Sequence, residues 1–457
     1  MKRVLTLAAG AVLILTACDR HSGPGTAADA PYASRYQALP AEPTILRGAT
    51  VLTGNGEKID NADIVMRDGR IVAVGEGLDS TGLTVIEANG KWITPGIIDV
   101  HSHLGVYASP GVQAHSDGNE MSAPVTAEVW AEHSVWPQDP GFVTALAGGV
   151  TSLQILPGSA NLIGGRSVTL KNVPGRSVQA MKFPGAPYGL KMACGENPKR
   201  VYGAGKGVAP GTRMGNVAGY RSAWIAAADY RDKMAAAVKG QGEAPMRNLQ
   251  LETLVGVLEG EILVHNHCYR ADEMAVMFDI AKEFGYRISA FHHAVEAYKI
   301  PDLLAANDTC AAVWADWWGF KMEAYDGIRE NAAIVDRAGA CAVIHSDDEI
   351  GIQRLNQEAA KIMGAAARVG IDVPPERAIQ WITKNAARML GIDASVGTLE
   401  AGKMADLTVW DGNPFSVYTS VERVYIDGAL AFDRHDPSVN PITDFSLGTQ
   451  AINGGAE

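Results

Sequence analysis

Seven of the 11 histidines in this 457-residue chain stand directly after, or at the end of, short apolar strand-like runs, and no other feature limits the fold as strongly. His101 and His103 follow Ile97-Ile98-Asp99-Val100, and His265 and His267 close the run that begins at Ile262. His292 and His293 follow Arg287 to Phe291, and His345 follows Cys341 to Ile344. In a strand, residues i and i+2 point to one side, so the imidazoles of His101 and His103 can face a common centre. A barrel of parallel strands keeps its active site at the strands' C-terminal ends, which is where these histidines fall. One buried histidine is ordinarily satisfied by hydrogen bonds and does no chemistry. Four strand ends supplied in this way point instead to a metal site.

The remaining pattern fits around that centre. From 93 to 395, apolar runs alternate with helical segments, among them 271–284, stopped by Gly285, and 375–390, stopped by Gly391. Parallel strands joined by crossover helices require such alternation, and roughly 300 residues suit a (β/α)8 barrel. Short strand runs fill 44–92 and return at 396–435, with Asp68-Gly69 and Asp427-Gly428 as hairpin-turn signals. The expected fold class is α/β, a TIM-like (β/α)8 barrel with a small β-sandwich built from both chain ends. The glycine-rich stretch 156–166 lacks the lysine of a phosphate-binding loop and is read as a loop lining the site's mouth.

The first residues read as an export signal. Lys2 and Arg3 precede an apolar stretch, 5–15, too short to span a bilayer comfortably. Leu15-Thr16-Ala17-Cys18 resembles the lipobox of bacterial lipoproteins, which implies a signal over 1–18 and lipidation of Cys18. Acyl chains there would anchor a soluble domain to a membrane. Residues 19–43 read as a flexible tether and 436–457 as a tail. The expected location is the cell envelope or periplasm. Cys194, Cys268, Cys310 and Cys341 show no paired spacing and are expected to be free, buried thiols. A net charge of −12 argues against nucleic-acid binding; a homo-oligomer is compatible with the composition.

The segment Ile93-Thr94-Pro95-Gly96-Ile97-Ile98-Asp99-Val100-His101-Ser102-His103-Leu104-Gly105 resembles the opening motif of the amidohydrolase superfamily. Gly397-Thr398-Leu399-Glu400-Ala401-Gly402-Lys403-Met404-Ala405-Asp406-Leu407 resembles the segment by which such chains rejoin their small sandwich. The likeness runs from about Thr44 to Asp433 and is nearest to the imidazolonepropionase-related branch. It implies that His101, His103, His267, His293 and Asp347 hold a divalent metal, with His265, His292 and His345 as their neighbours. Many relatives add a bridging ligand from the fourth strand. Lys191, once carbamylated, and Glu196 are the two candidates, and Glu196, in a strand-end turn, is favoured.

Imidazole and carboxylate ligands suit Zn²⁺, one or two ions per chain. The metal would generate hydroxide at neutral pH, and Asp347 would act as general base and then acid. Arg200 and Arg270 are candidates for gripping a substrate carboxylate, and Trp314, Trp317 and Trp318 for an aromatic wall. The resulting expectation is a hydrolase acting on the amide or cyclic amide of a small molecule, peptide-like or an N-acyl amino acid. A heterocycle deaminase on the same scaffold and a non-catalytic envelope lipoprotein are the alternatives.

Overall fold

The structure, a computed structural model, describes residues 31–443. The signal segment with Cys18, the first part of the tether and the end of the tail lie outside the described residues. Among the described residues, no helix is long and apolar enough to cross a membrane.

The two chain ends build one sheet. Strands β1 (Thr44–Leu52), β2 (Lys58–Arg67), β3 (Arg70–Gly75), β4 (Thr84–Glu87) and β5 (Trp92–Pro95) come from the N-terminal side. After the barrel strands the chain returns with β14 (Leu407–Trp410), β15 (Val421–Ile426) and β16 (Ala429–Asp433). The order is β16-β15-β14-β5-β1-β2-β3, with β4 beside β1. The join is antiparallel between β14 and β5, with Thr408 opposite Thr94 and Trp410 opposite Trp92. Both hairpin turns carry positive φ at two successive residues, Asp68 (50°) with Gly69 (74°) and Asp427 (48°) with Gly428 (73°). Asp-Gly tolerates such a pair where most dipeptides do not.

The barrel runs in order through β6 (Ile97–Ser102), β7 (Val150–Ile155), β8 (Ile163–Lys171), β9 (Gly189–Ala193), β10 (Leu263–His267), β11 (Ile288–His292), β12 (Cys310–Val313) and β13 (Cys341–Ile344). Its ends are drawn together where the N–H of Asp347 donates to the His101 carbonyl at 3.0 Å. Asp99 reinforces this closure, its carboxylate accepting from the backbone N–H and hydroxyl of Ser346. The strands are parallel except β8, which is antiparallel to β7 and to β9. The last four residues of the stretch read as a mouth loop, 163–166, are therefore strand. Its glycines permit the tight approach: a Cβ at Gly165, φ +112°, would lie 2.4 Å from the Val129 carbonyl oxygen.

Helix Ala271–Phe284 ends as expected at Gly285, in the left-handed conformation. The segment expected to be one helix over 375–390 is instead broken. Helices Pro375–Ala378 and Lys384–Met389 are separated by a 3-10 turn, and Thr383 leaves the helical region while its hydroxyl donates to the Ile379 carbonyl at 2.7 Å.

The four cysteines among the described residues are paired, which corrects the expectation of free thiols. Cys310 and Cys341 are directly opposed in the β12–β13 register, Cα atoms 4.5 Å apart, and are joined as a disulfide. Cys194 and Cys268, just past the ends of neighbouring β9 and β10, form the second, with Cα atoms 5.2 Å apart. Parallel register brings together residues far apart in sequence, so spacing carried no sign of it.

Between sheet and barrel, the fully buried Lys171 of β8 reaches Asp406 at 3.1 Å and Asp427 at 2.7 Å. These contacts fix the sheet to the barrel wall at the end of β8.

Candidate metal centre

At the C-terminal end of the barrel, three imidazoles converge on Asp347. His101 Nε2 and His103 Nε2 lie 3.3 and 3.2 Å from its Oδ1, and His293 Nδ1 lies 3.8 Å from its Oδ2. Two groups of donor atoms each lie within 4.8 Å of one another: His101, His103 and Asp347, and His101, His293 and His345. His293 (φ 67°) and Asp347 (φ 54°) both hold left-handed backbone conformations. Non-glycine residues in that region cluster where a fold over-determines a functional side chain.

The surroundings orient these rings. The Leu156 carbonyl, 2.9 Å from His103 Nδ1, can only accept, so it places the proton on Nδ1 and leaves the Nε2 lone pair facing Asp347. The His293 N–H donates to His345 Nε2 at 3.3 Å. Trp314 stacks on His293 with centroids 4.3 Å apart, and its indole N–H donates to the Ser346 carbonyl. Burial holds His101, His267, His292 and His293 well below the usual imidazole pKa, His345 at about 4 and His265 at about 3. Neutral imidazole is the form that ligates a metal.

His101 Nε2, His293 Nδ1 and His345 Nδ1 are buried without a hydrogen-bond partner. Buried polar atoms are normally satisfied. His345 Nε2 accepts from the His293 N–H, which places its proton on Nδ1. The orphaned His101 Nε2 and His293 Nδ1, with His103 Nε2 and the Asp347 carboxylate, match the donor set of a divalent cation. The residues present therefore fit the metal.

The other expected site residues are placed as follows. His267 lies outside both donor groups: its Nδ1 is 2.8 Å from the Ser159 hydroxyl, its Nε2 3.4 Å from the Asn197 amide, and its ring 4.7 Å from that of His293. Glu196 also lies outside them, at the start of a short helix and 3.7 Å from Lys321. Lys191 lies within β9, fully buried, its ammonium donating to the Pro157 carbonyl at 2.9 Å, and burial lowers its pKa to about 8. Arg270 spends its guanidinium on Asp272, and Arg200 is exposed. Lys321 is a cation closer to the imidazoles, half-buried, 4.0 Å over the Tyr269 ring and 3.3 Å from Asn197. Trp317 stacks on Trp314, while Trp318 is half exposed.

Sequence reading named His345 as a neighbour of the ligands, and its Nε2 accepts from the His293 N–H. That reading missed Lys321, Asn197 and Ser159, which sit in loops without a motif. Beside Leu156 and Pro157 a cavity of about 540 Å³ opens, lined also by Asn119, Glu120, Glu128 and Trp130. Leu156, whose carbonyl meets His103 Nδ1, belongs both to the wall of this cavity and to the surroundings of the centre.

The amidohydrolase family profile matches residues 258–443. An amidohydrolase from Thermotoga maritima is 35% identical, and the match covers 86% of this chain and all of that one with a TM-score of 0.79. The amidohydrolase tasK of Hapsidospora irregularis is 31% identical over 92% of this chain. The chain spans less than half the length of that curated relative, 45%. A putative prolidase from Bifidobacterium longum, 17% identical, shares the fold over 91% of this chain at a TM-score of 0.54. Barrel, composite sheet and strand-end imidazoles thus define a metal-dependent hydrolase scaffold. The chain belongs to the amidohydrolase family.

Proposed function

We propose that the protein hydrolyses the amide or cyclic amide bond of a peptide-like or N-acyl amino acid substrate at a divalent-metal centre. The observation that carries this reading is the convergence of His101, His103 and His293 on the single carboxylate of Asp347, within 3.8 Å. When bound, a cation such as Zn²⁺ would lower the pKa of water and polarise the scissile carbonyl.

His101, His103 and Asp347 form one set of ligands, and His293 extends it. We assign the bridging position to Lys191 in place of Glu196. Lys191 projects from a barrel strand among the imidazoles, whereas Glu196 is turned to Lys321. Once its ammonium has lost a proton, carboxylation of Lys191 joins the neutral amine to CO₂ and releases a second proton, giving the anionic ligand that two divalent ions need.

Asp347 accepts the proton of the attacking water and hands it to the departing nitrogen, as general base and then acid. Burial of His101, His293 and His345 keeps these rings neutral, and Asp347 is the carboxylate placed among them to move that proton. Tyr269 and Trp314 pack against His293 and exclude water from its outer face.

The reading is tested by loading the full chain with zinc, manganese or cobalt and assaying dipeptides, N-acyl amino acids, cyclic amides and aminopurines. Release of amine and carboxylate from an amide substrate is the expected outcome. Ammonia released only from the aminopurines would replace this reading with a deaminase.

A further inference from the structure

Below the metal centre, three imidazoles and one amide form an unbroken row through the barrel. His101 Nδ1 and His292 Nδ1 are 2.8 Å apart, and His292 Nε2 and His265 Nδ1 are 3.0 Å apart. His265 Nε2 lies 3.2 Å from the side-chain amide of Gln154. Gln154 is 2% exposed and the three rings are fully buried. Gly189 leaves the space in which the row ends: a Cβ there would sit 2.6 Å from His265 Cδ2 and 3.0 Å from the Gln154 amide.

Each nitrogen–nitrogen contact accommodates one proton, and burial disfavours the cationic form of any ring. Neutral rings in such a row have two orderings. In the first, each proton points away from the metal centre: His101 is protonated on Nδ1, His292 on Nε2 and His265 on Nε2. His101 Nε2 then offers a lone pair toward Asp347, and the row must end on an acceptor. In the second, every proton points the other way, the row ends on a donor, and His101 Nε2 carries hydrogen and cannot ligate.

Glutamine can terminate either ordering, because a half-turn of its amide exchanges oxygen for NH₂. Its NH₂ donates to the Ser167 hydroxyl at 2.9 Å and faces His265, while its Oε1 is buried without a partner. After a half-turn, the oxygen would accept from both Ser167 and His265.

We propose that Gln154, His265 and His292 are positioning residues that set the tautomer of His101, the Gln154 amide presenting its oxygen to His265 when a divalent cation is bound at His101 Nε2. This rests on the reading of His101 as a metal ligand. The metal-facing imidazole is then governed by an amide three side chains away, on a different strand.

The test uses the full-length wild type with Gln154→Glu, which ends the row on a carboxylate acceptor, and Gln154→Met, which offers no such terminus. Zinc affinity is measured by competition with a chromophoric chelator, alongside circular-dichroism melts of the metal-free proteins. Gln154→Glu should bind zinc as tightly as wild type or more tightly. Gln154→Met should bind at least ~10-fold more weakly, as loss of an outer hydrogen-bond partner typically does, with a melting profile close to wild type. In the zinc-loaded wild type, two-bond ¹H–¹⁵N correlations should show His265 protonated on Nε2, a readout that needs no variant to fold. Equal affinity in all three proteins, equal weakening by both substitutions, or His265 protonated on Nδ1 would each overturn the proposal while leaving the metal reading in place. A wild type that takes up no zinc, manganese or cobalt would overturn the metal reading, and the proposal with it.

Discussion

The backbone N–H of Asp347 donates to the carbonyl oxygen of His101 across 3.0 Å. The group proposed to move the proton is thereby tied, main chain to main chain, to the first metal-facing imidazole. A side chain anchored in this way enters the reaction without reorganising, which is the condition under which positioned acids and bases are most effective.

Asp347→Asn keeps the shape and removes the base, so kcat should fall by at least ~10²-fold with a much smaller change in KM. The adjacent Asp348 caps its own turn by accepting from the N–H groups of Ile350 and Gly351. Asp348→Asn should leave kcat within a few-fold. Steady-state kinetics on the best amide substrate decide; activity retained in Asp347→Asn and lost in Asp348→Asn would reverse the two roles.

Metal content distinguishes the bridging candidates. Lys191→Ala, reconstituted with bicarbonate present, should fall toward one divalent ion per chain by elemental analysis, and Glu196→Gln should match wild type. Loss of an ion in Glu196→Gln alone would return the role to Glu196.

Lys171 is completely buried between Asp406 and Asp427. Removing one partner of a buried ionic cluster strands the others, at a cost of about 3–5 kcal/mol. Lys171→Ala should therefore lower the denaturation midpoint markedly, measured by urea titration. A midpoint equal to that of wild type would show that the cluster contributes nothing to joining the sheet and barrel.

Both disulfides close long loops, 74 and 31 residues, and loss of either should cost about 2–5 kcal/mol. Thiol titration of the denatured, unreduced protein should detect none of Cys194, Cys268, Cys310 and Cys341, and reductant should lower the melting temperature. Such bonds persist in oxidising compartments, in keeping with the proposed export. Cys18→Ala should then move the protein from the membrane to the soluble fraction; unchanged fractionation would exclude lipidation as the anchor.

The barrel and the position of its chemistry were legible because strand periodicity puts residues i and i+2 on one side. The shared face of His101 and His103 follows from that rule, whereas Asp347 was named through the resemblance to the amidohydrolase superfamily. The rule is silent on neighbours at i+1, so His292, in the buried row, could not be told from His293, in the cluster. The same rule did carry an unused signal at β9, where Gly189, Lys191 and Ala193 alternate, making Lys191 a cation inside an apolar strand. Glu196 drew notice as a loop carboxylate, but its contact with Lys321 depends on a loop more than 120 residues onward, which no local pattern encodes. The direction of β8 and the cysteine pairs were hidden for a related reason: each depends on which strands become neighbours.

The join between β5 and β14 sets the timing of folding. Trp92 pairs with Trp410, and Thr94 with Thr408, across more than 300 residues. Pairings so distant in sequence form slowly, because the loop between them must first be closed. During synthesis, β1 to β5 emerge early yet lack their neighbour on one side until the whole barrel and residues 407–410 have left the ribosome. The edge of β5 thus stays open throughout synthesis of the barrel, and the first sheet closes only after residues 407–410 are available to pair with 92–95.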